Sequence, residues 1–504
     1  MNTYLGIELG STRIKAVTVN RDHTPLSSGS YQWTSHLENG VWTYPLSQVW
    51  EGLTAALSEI ENRDSICGMG VSGMMHGYLA FDKDWNLLTP FRTWQNTMTG
   101  QAAEILTDLF GFNMPQRWST THLYQAILNR EDHVPHVAHI TTLAGYVHFM
   151  LTGVNAVGIG EASGIFPIDS TTHDYDKTML AAFDEISELD KPLIDLLPKV
   201  LVAGEQAGAL TETGAAMLGN LLPVGIAFAP PEGDAGTGMT ATNAVAPRTG
   251  NVSAGTSIFS MVVLERPLKK IYPEICLVTT PTGSPVAMVH CTNCTNDSNA
   301  WISLLNETAT LFGADPGSEL YPKLYEKSLE GDADCGKVLV CNYLAGESVT
   351  HVNAGRPMVV RRPESKFTLA NFLRATLYST MATLKIGMDI LADEGVAIDS
   401  LTGHGGLFKT PVVGQKYLAA ACNAPVTCMQ TAGEGGPYGM ALLVAYAMQK
   451  NENESLEEYL NTRVFSRVEG TTVAPDEKDV AGFTAYMKDY HALLEIEKTA
   501  IERI

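Results

Sequence analysis

Two short stretches of this chain combine glycine with hydroxyl side chains at a tight reversal. Gly10, Ser11 and Thr12 lie inside the run Leu5–Val19, and Gly255, Thr256 and Ser257 inside Gly250–Val263. β-Branched residues flank both, so each reads as a hairpin. Glycine removes the Cβ that would block close approach, and backbone N–H groups and hydroxyls can then converge on one anion. One such turn reads equally well as an ordinary hairpin. Two, about half a chain apart, point to duplicated domains facing one nucleotide. Only the first carries an acidic residue, Glu8, two positions before its glycine.

Three other glycine-rich stretches invite nucleotide readings. Gly68–Gly73 satisfies G-x-G-x-x-G, but Met74–Phe81 reads as extended chain where a dinucleotide site needs a helix. Gly403–Thr410 looks like a P-loop except at Phe408, which occupies the place of the glycine before lysine. Gly433–Gly439 enters the apolar helical run Met440–Met448, and either lines a nucleotide or caps a helix. Cys291 and Cys294 have metal-like spacing, but Cys335 and Cys341 make a poor second pair, so reduced buried thiols are expected. His133, His136 and His139 also cluster; Pro135 breaks helical continuity there, and a solvated loop is expected.

The elements that position these residues follow from periodicity. Strands are expected near 4–9, 14–19 and 27–33, then a helix at 47–60 with Val49, Trp50, Leu53, Leu57 and Ile60 at helical spacing, then a strand at 66–71. The second half repeats that order, with strands near 251–254, 257–264 and 285–291 and a helix at 298–311. A long helix from Leu369 to Asp393 should stop before Gly395, and a last helix should hold Pro475 in its first turn. A chain of 504 residues is expected to form two domains, and the turn-rich stretch Ala246–Gly250 divides it into 1–248 and 249–504. The expected fold class is α/β, with two duplicated ribonuclease-H-like domains of the actin-type ATPase superfamily and a cleft between them.

Composition excludes several functions. A formal charge of −22 leaves no basic footprint for nucleic acid, so an anionic ligand must be held locally by oriented amides and a metal ion. No apolar run approaches the ~20 residues of a membrane span. The N-terminus has no basic and apolar leader, so a cytoplasmic protein without membrane partners is expected, and a homodimer stays open.

In their order along the chain these segments resemble the FGGY carbohydrate kinases, most closely the xylulokinase-like branch. Gly6–Val19 and Asn251–Phe259 are similar to the two phosphate motifs, and Val71–Gly77 to the segment whose Met-His pair contacts the sugar. Ala229–Gly236 resembles the segment of the catalytic aspartate, Thr402–Gly406 the adenosine motif, and Gly433–Gly439 the second family signature. Tyr343–Glu347 with Thr350 and His351 follows the Gly-Glu-x-x-x-His pattern less fully.

The resemblance implies a kinase dependent on ATP and Mg²⁺ that phosphorylates a terminal hydroxyl of a small sugar. A ketopentose such as D-xylulose, giving the 5-phosphate, is the implied substrate. Another sugar, polyol or aldonate, or a non-catalytic sugar or nucleotide sensor, is the alternative. Asp234 is implied as general base, with Met75, His76, Trp94 and Asn96 beside it on the sugar. Gly10, Ser11, Thr12, Arg13, Lys15, Gly255, Thr256, Ser257, Gly405, Gly406, Gly435 and Gly436 are implied on the nucleotide and its phosphates. Glu8 would support the metal through water. Phosphoryl transfer needs positioning and charge neutralisation, which this set supplies.

Four positions depart from the family pattern. Glu8 and Asn96 stand where aspartate is usual, His122 where lysine is usual, and Ser348 where xylulokinases tend to have arginine. They bear mainly on which sugar is used, and they spare Asp234.

Overall fold

A computed structural model describes residues 2–433 and 435–504. The chain forms two compact units: Met1–Ala246 with Cys276–Val286 and Glu434–Val468, and Pro247–Ile275 with Ala287–Gly433 and Glu469–Ile504. A single cut between 248 and 249 therefore does not describe them. The chain returns to the first unit twice, and the second return brings a helix that covers one face of its sheet.

In the first unit, β1 (Thr3–Leu9), β2 (Arg13–Val19), β3 (Pro25–Gln32), β4 (Ile66–Gly73) and β5 (Ala227–Phe228) form a mixed sheet in the order β5-β4-β1-β2-β3, and β6 (Glu232–Gly233) also pairs with β4. β1 runs antiparallel to β2 and parallel to β4. Side chains alternate along a strand, so the two faces of β1 have separate tasks. Leu5, Ile7 and Leu9 enter a core with Val49, Leu53 and Leu57 of the helix Leu46–Ser58. Tyr4, Gly6 and Glu8 occupy the opposite face.

That second face carries the helix Gly436–Gln449, buried from Pro437 to Tyr446. It sits so close that a Cβ at Gly6 would collide with Ala441, and one at Gly68 or Gly70 with Val444. Gly6 and Gly70 are opposite one another in the β1–β4 register. The G-x-G of Gly68–Gly73 is therefore a helix-packing surface. Gly439 likewise rests on the Thr237 backbone of the helix Asp234–Ala241.

The second unit repeats the central pattern. β7 (Thr249–Ala254) pairs antiparallel with β8 (Ile258–Val263) and parallel with β10 (Ser400–His404), as β1 does with β2 and β4. The sheet runs β9-β8-β7-β10-β11-β12, with β9 at Pro285–Cys291, β11 at Val426–Met429 and β12 at Gly470–Val473; β9 belongs to this unit from Ala287 onward. The helix Leu369–Asp393 ends as expected, with Gly395 at φ +75° just beyond its cap. The last helix, Glu477–Arg503, differs at its start: Asp476 caps it by accepting from the N–H groups of Lys478 and Asp479, and Pro475 precedes that cap. Among the described residues no helix is long and apolar enough to cross a membrane.

Candidate active site

The first hairpin is fixed from behind and exposed in front. The Gly10 N–H donates to Arg13 O at 2.9 Å, closing the turn. Trp33 Nε1 donates to Gly10 O and Tyr44 Oη to Ser11 O, both at 2.6 Å. Ser11, Thr12 and Arg13 are left exposed at the tip. Beside it, a Cβ at Gly436 would run into the Glu8 carboxylate, so the helix Gly436–Gln449 begins against that group. Gly435 precedes it at φ +71°, and Glu434 of the same stretch lies outside the described residues. Burial and the nearby Asp234 charge push Glu8 up to about 7, and Lys15, its partner across the β-ladder, pulls the other way.

Asp234 opens the helix Asp234–Ala241 and is partly exposed. Its Oδ1 accepts the Met75 N–H at 3.1 Å. Burial raises its pKa against the backbone N–H groups of Met75, Ala235 and its own residue and the Arg117 cation. A carboxylate raised in this way is a better proton acceptor. Glu8, Asp234, Met75 and Gly436 all belong to one unit.

His76 adopts φ +73°, a left-handed conformation rare for a non-glycine residue and frequent at functional turns. Its ring stacks on Trp118 with centroids 6.2 Å apart. The Met75 side chain packs inward, its Cγ 3.1 Å from where a Gly233 Cβ would stand. It thus contributes its backbone to Asp234 and its thioether to packing.

Two residues expected near the sugar divide. Trp94 is 38% exposed. Asn96 is buried, and its carboxamide is committed to protein: Oδ1 accepts from Trp42 N–H at 2.9 Å, and Nδ2 donates to Trp42 O at 2.8 Å and Thr93 O at 3.0 Å. The structure thus replaces the expected sugar contact with a clamp on the backbone. His122 is also buried, stacks on Tyr78, and is pushed down to about 3 by burial and Arg92.

In the second unit Thr256 is exposed at its hairpin tip, and Thr295 donates to Gly255 O from both its N–H and its hydroxyl, at 3.2 and 2.7 Å. Ser257 O accepts the Gly255 N–H at 2.9 Å. Ser253 stands where Glu8 stands in the first, so this turn has no acidic companion. Gly405, at φ +99°, packs on Ala254, while Gly406 faces open space. The stretch Thr402–Gly406 and the second hairpin are therefore neighbours within one unit.

The other candidates resolve simply. Cys291 and Cys294 are free buried thiols whose pKa values burial raises. His133 is buried and bonded to Tyr78 Oη at 2.9 Å and His139 stacks on Trp85, so these two are held in the fold, while His136 is exposed as expected. Among the described residues no three His, Cys, Asp or Glu side chains converge to hold a metal ion. A Mg²⁺ ion would instead rest on phosphate oxygens and water, with one carboxylate facing it, and the hard oxygen donor of Glu8 fits that demand. Sequence reasoning missed Glu161 and Glu232, two buried carboxyls behind Asp234.

The model of the N-terminal domain of the FGGY family of carbohydrate kinases matches residues 3–236, and that of the C-terminal domain matches residues 250–448. The chain belongs to the FGGY family of carbohydrate kinases. This FGGY kinase is a sugar phosphotransferase that uses ATP, built as two α/β domains of the actin-like ATPase type. It is 22% identical over 479 residues to the xylulose kinase of Haemophilus influenzae, covering 90% of this chain and 92% of that one. To the xylulose kinase of Escherichia coli it is 24% identical over 479 residues, covering 91% and 92%. The solved xylulose kinase of Rhodospirillum rubrum shares the fold with a TM-score of 0.80 at 18% identity over 100% of both chains. The gluconate kinase of Lactobacillus acidophilus does so with a TM-score of 0.80 at 17% identity over 98% of both. Likeness of fold thus spans kinases named for different sugars.

Proposed function

We propose that this FGGY kinase transfers the γ-phosphoryl group of ATP to the terminal hydroxyl of a ketopentose, D-xylulose giving the 5-phosphate. The observation that carries the reading is Asp234: a partly exposed carboxylate at a helix start, oriented by the Met75 N–H and raised in basicity by its surroundings. In this reading the sugar hydroxyl gives its proton to Asp234 as its oxygen bonds to phosphorus, and ADP leaves. His76 and the exposed Trp94 orient the sugar. Gly10–Arg13 with Lys15, and Gly255–Ser257, present N–H groups, hydroxyls and positive charge to the phosphates; Gly405 and Gly406 line adenosine, and Gly435 and Gly436 open the helix at Glu8. Glu8 would hold Mg²⁺ through water, and the ion when bound would neutralise charge on the phosphate oxygens. The similarity to xylulose kinases over most of the chain supports a ketopentose.

The test is a product analysis. The enzyme is incubated with ATP and Mg²⁺ and D-xylulose, D-gluconate, glycerol or L-fuculose, and phosphorylated sugar is located by ³¹P NMR. The expected result is a 5-phosphate from D-xylulose in the highest yield. A higher yield from another acceptor would replace the sugar while leaving the kinase in place.

A further inference from the structure

Behind Asp234 lie two carboxyl groups that the mechanism does not use. Glu161, on the helix Ile159–Ala162, is 0% exposed, and Glu232, on β6, is 2% exposed. Glu232 is answered by the backbone: Gly233 N–H donates to its Oε1 at 3.0 Å, and the N–H groups of Gly160 and Glu161 also favour its charge. Glu161 is not, since neither of its oxygens has a hydrogen-bond partner. The Thr142 hydroxyl nearby favours its charged form but stands outside hydrogen-bond geometry.

The packing is built around these groups. A Cβ at Gly233 would stand 2.5 Å from Glu161 Oε2, so Glu161 presses on the residue immediately before Asp234. Gly158 and Gly160 leave room for Glu232, since Cβ atoms there would lie 2.6 and 2.5 Å from its carboxyl oxygens. The returning segment 276–286 closes this layer. Thr279 N–H donates to Ser163 Oγ at 3.0 Å and Thr279 Oγ1 to Ile159 O at 3.1 Å. A fully buried carboxylate without donors is too costly to keep ionised, so Glu161 holds its proton. Glu232 and Asp234 add like charge to the same effect, and the buried Tyr175 is near enough to feel the charge of Glu161.

We propose that Glu161 is a positioning residue for Asp234, a neutral carboxylic acid wedged against the Gly233 backbone that holds the turn presenting the base. This rests on Asp234 being the base. When Glu161 loses its proton, an unanswered charge appears beside Glu232 and Asp234, and the turn at 232–234 is driven open. Glutamine keeps the shape without the charge; aspartate withdraws the carboxyl from Gly233.

Two measurements on the full chain decide it. Thermal unfolding of wild type and Glu161→Gln is followed from about pH 5 to about pH 9. A carboxyl whose folded pKa is raised loses its stabilising contribution as pH rises, so the wild-type midpoint should fall steadily below that of Glu161→Gln; parallel curves would overturn the neutral acid. Turnover of D-xylulose, or of whichever sugar of the panel is accepted, is then measured across the same range. Glu161→Gln should keep kcat within about twofold at neutral pH and retain it further into the alkaline range. Glu161→Asp should lose about tenfold in kcat with the KM for ATP unchanged. Wild-type kcat in Glu161→Asp, or a uniform loss in Glu161→Gln, would overturn the positioning role. A wild type inactive on every sugar would remove the base assignment and the positioning role with it, whereas the unfolding curves would still report the proton.

Discussion

The backbone N–H of Met75 donates to Oδ1 of Asp234 at 3.1 Å, tying the stretch Val71–Gly77 directly to the proposed base. Met75 is followed by His76 at φ +73°, so a strained residue sits immediately beside that contact. His76→Val, a β-branched residue poorly tolerated there, is expected to lower kcat by at least about tenfold and to reduce stability. His76→Asn, which accepts a left-handed conformation more readily, should keep the fold and raise the KM for the sugar. Steady-state kinetics with unfolding curves of both variants checks this.

Glu8 has its folded pKa raised to about 7, first by burial and then by Asp234. The stability this group contributes is fully present below its unfolded pKa and lost as pH rises through about 7. Above about 7 it is ionised and suited to a cation. The Mg²⁺ concentration for half-maximal activity should therefore fall as pH rises through that value. Glu8→Gln should need more Mg²⁺ and lose the pH dependence. Mg²⁺ titrations at several pH values check it.

The close seat of the helix Gly436–Gln449 gives a stability prediction. A methyl group added at Gly6 meets Ala441 backbone, and one at Gly439 meets Thr237 backbone, so neither can be relieved by a rotamer change. Gly6→Ala and Gly439→Ala are each expected to lose about 1–3 kcal/mol or more. Gly406→Ala, with nothing nearby to strike, should be close to neutral in the same denaturant titration.

Asn96 offers a contrast between structure and recognition. Truncation to alanine leaves the Trp42 N–H without its acceptor, while Trp42 O and Thr93 O keep the N–H groups of Thr93 and Asn96, for a loss of about 1 kcal/mol. The ranking of sugars by kcat/KM should stay as in the wild type. A reordered ranking with unchanged stability would return Asn96 to the sugar.

Much of this arrangement is readable in the residues. Alternating apolar positions and glycine turns mark both hairpins, and helical spacing places Leu369–Asp393 at its observed limits. The helix Gly436–Gln449 is apolar nearly all round, so its sequence carries no sign of which sheet it covers. Gly68 and Gly70 imitate a nucleotide motif because close helix packing and close phosphate approach both require a missing Cβ. Glu161 belongs to no motif, and its meaning depends on Gly233, which is distant in sequence and adjacent in space. Asn96 preserves the look of a binding residue while the fold uses its amide elsewhere.

The role of Asp234 as the base is tested most directly by sugar-dependent ADP formation in wild type and Asp234→Asn, measured in a coupled assay with saturating ATP, Mg²⁺ and D-xylulose. The wild type is expected to release ADP only when the sugar is present, at a rate reduced by about 10²- to 10⁴-fold in Asp234→Asn. Equal sugar-dependent turnover by the two proteins would contradict it.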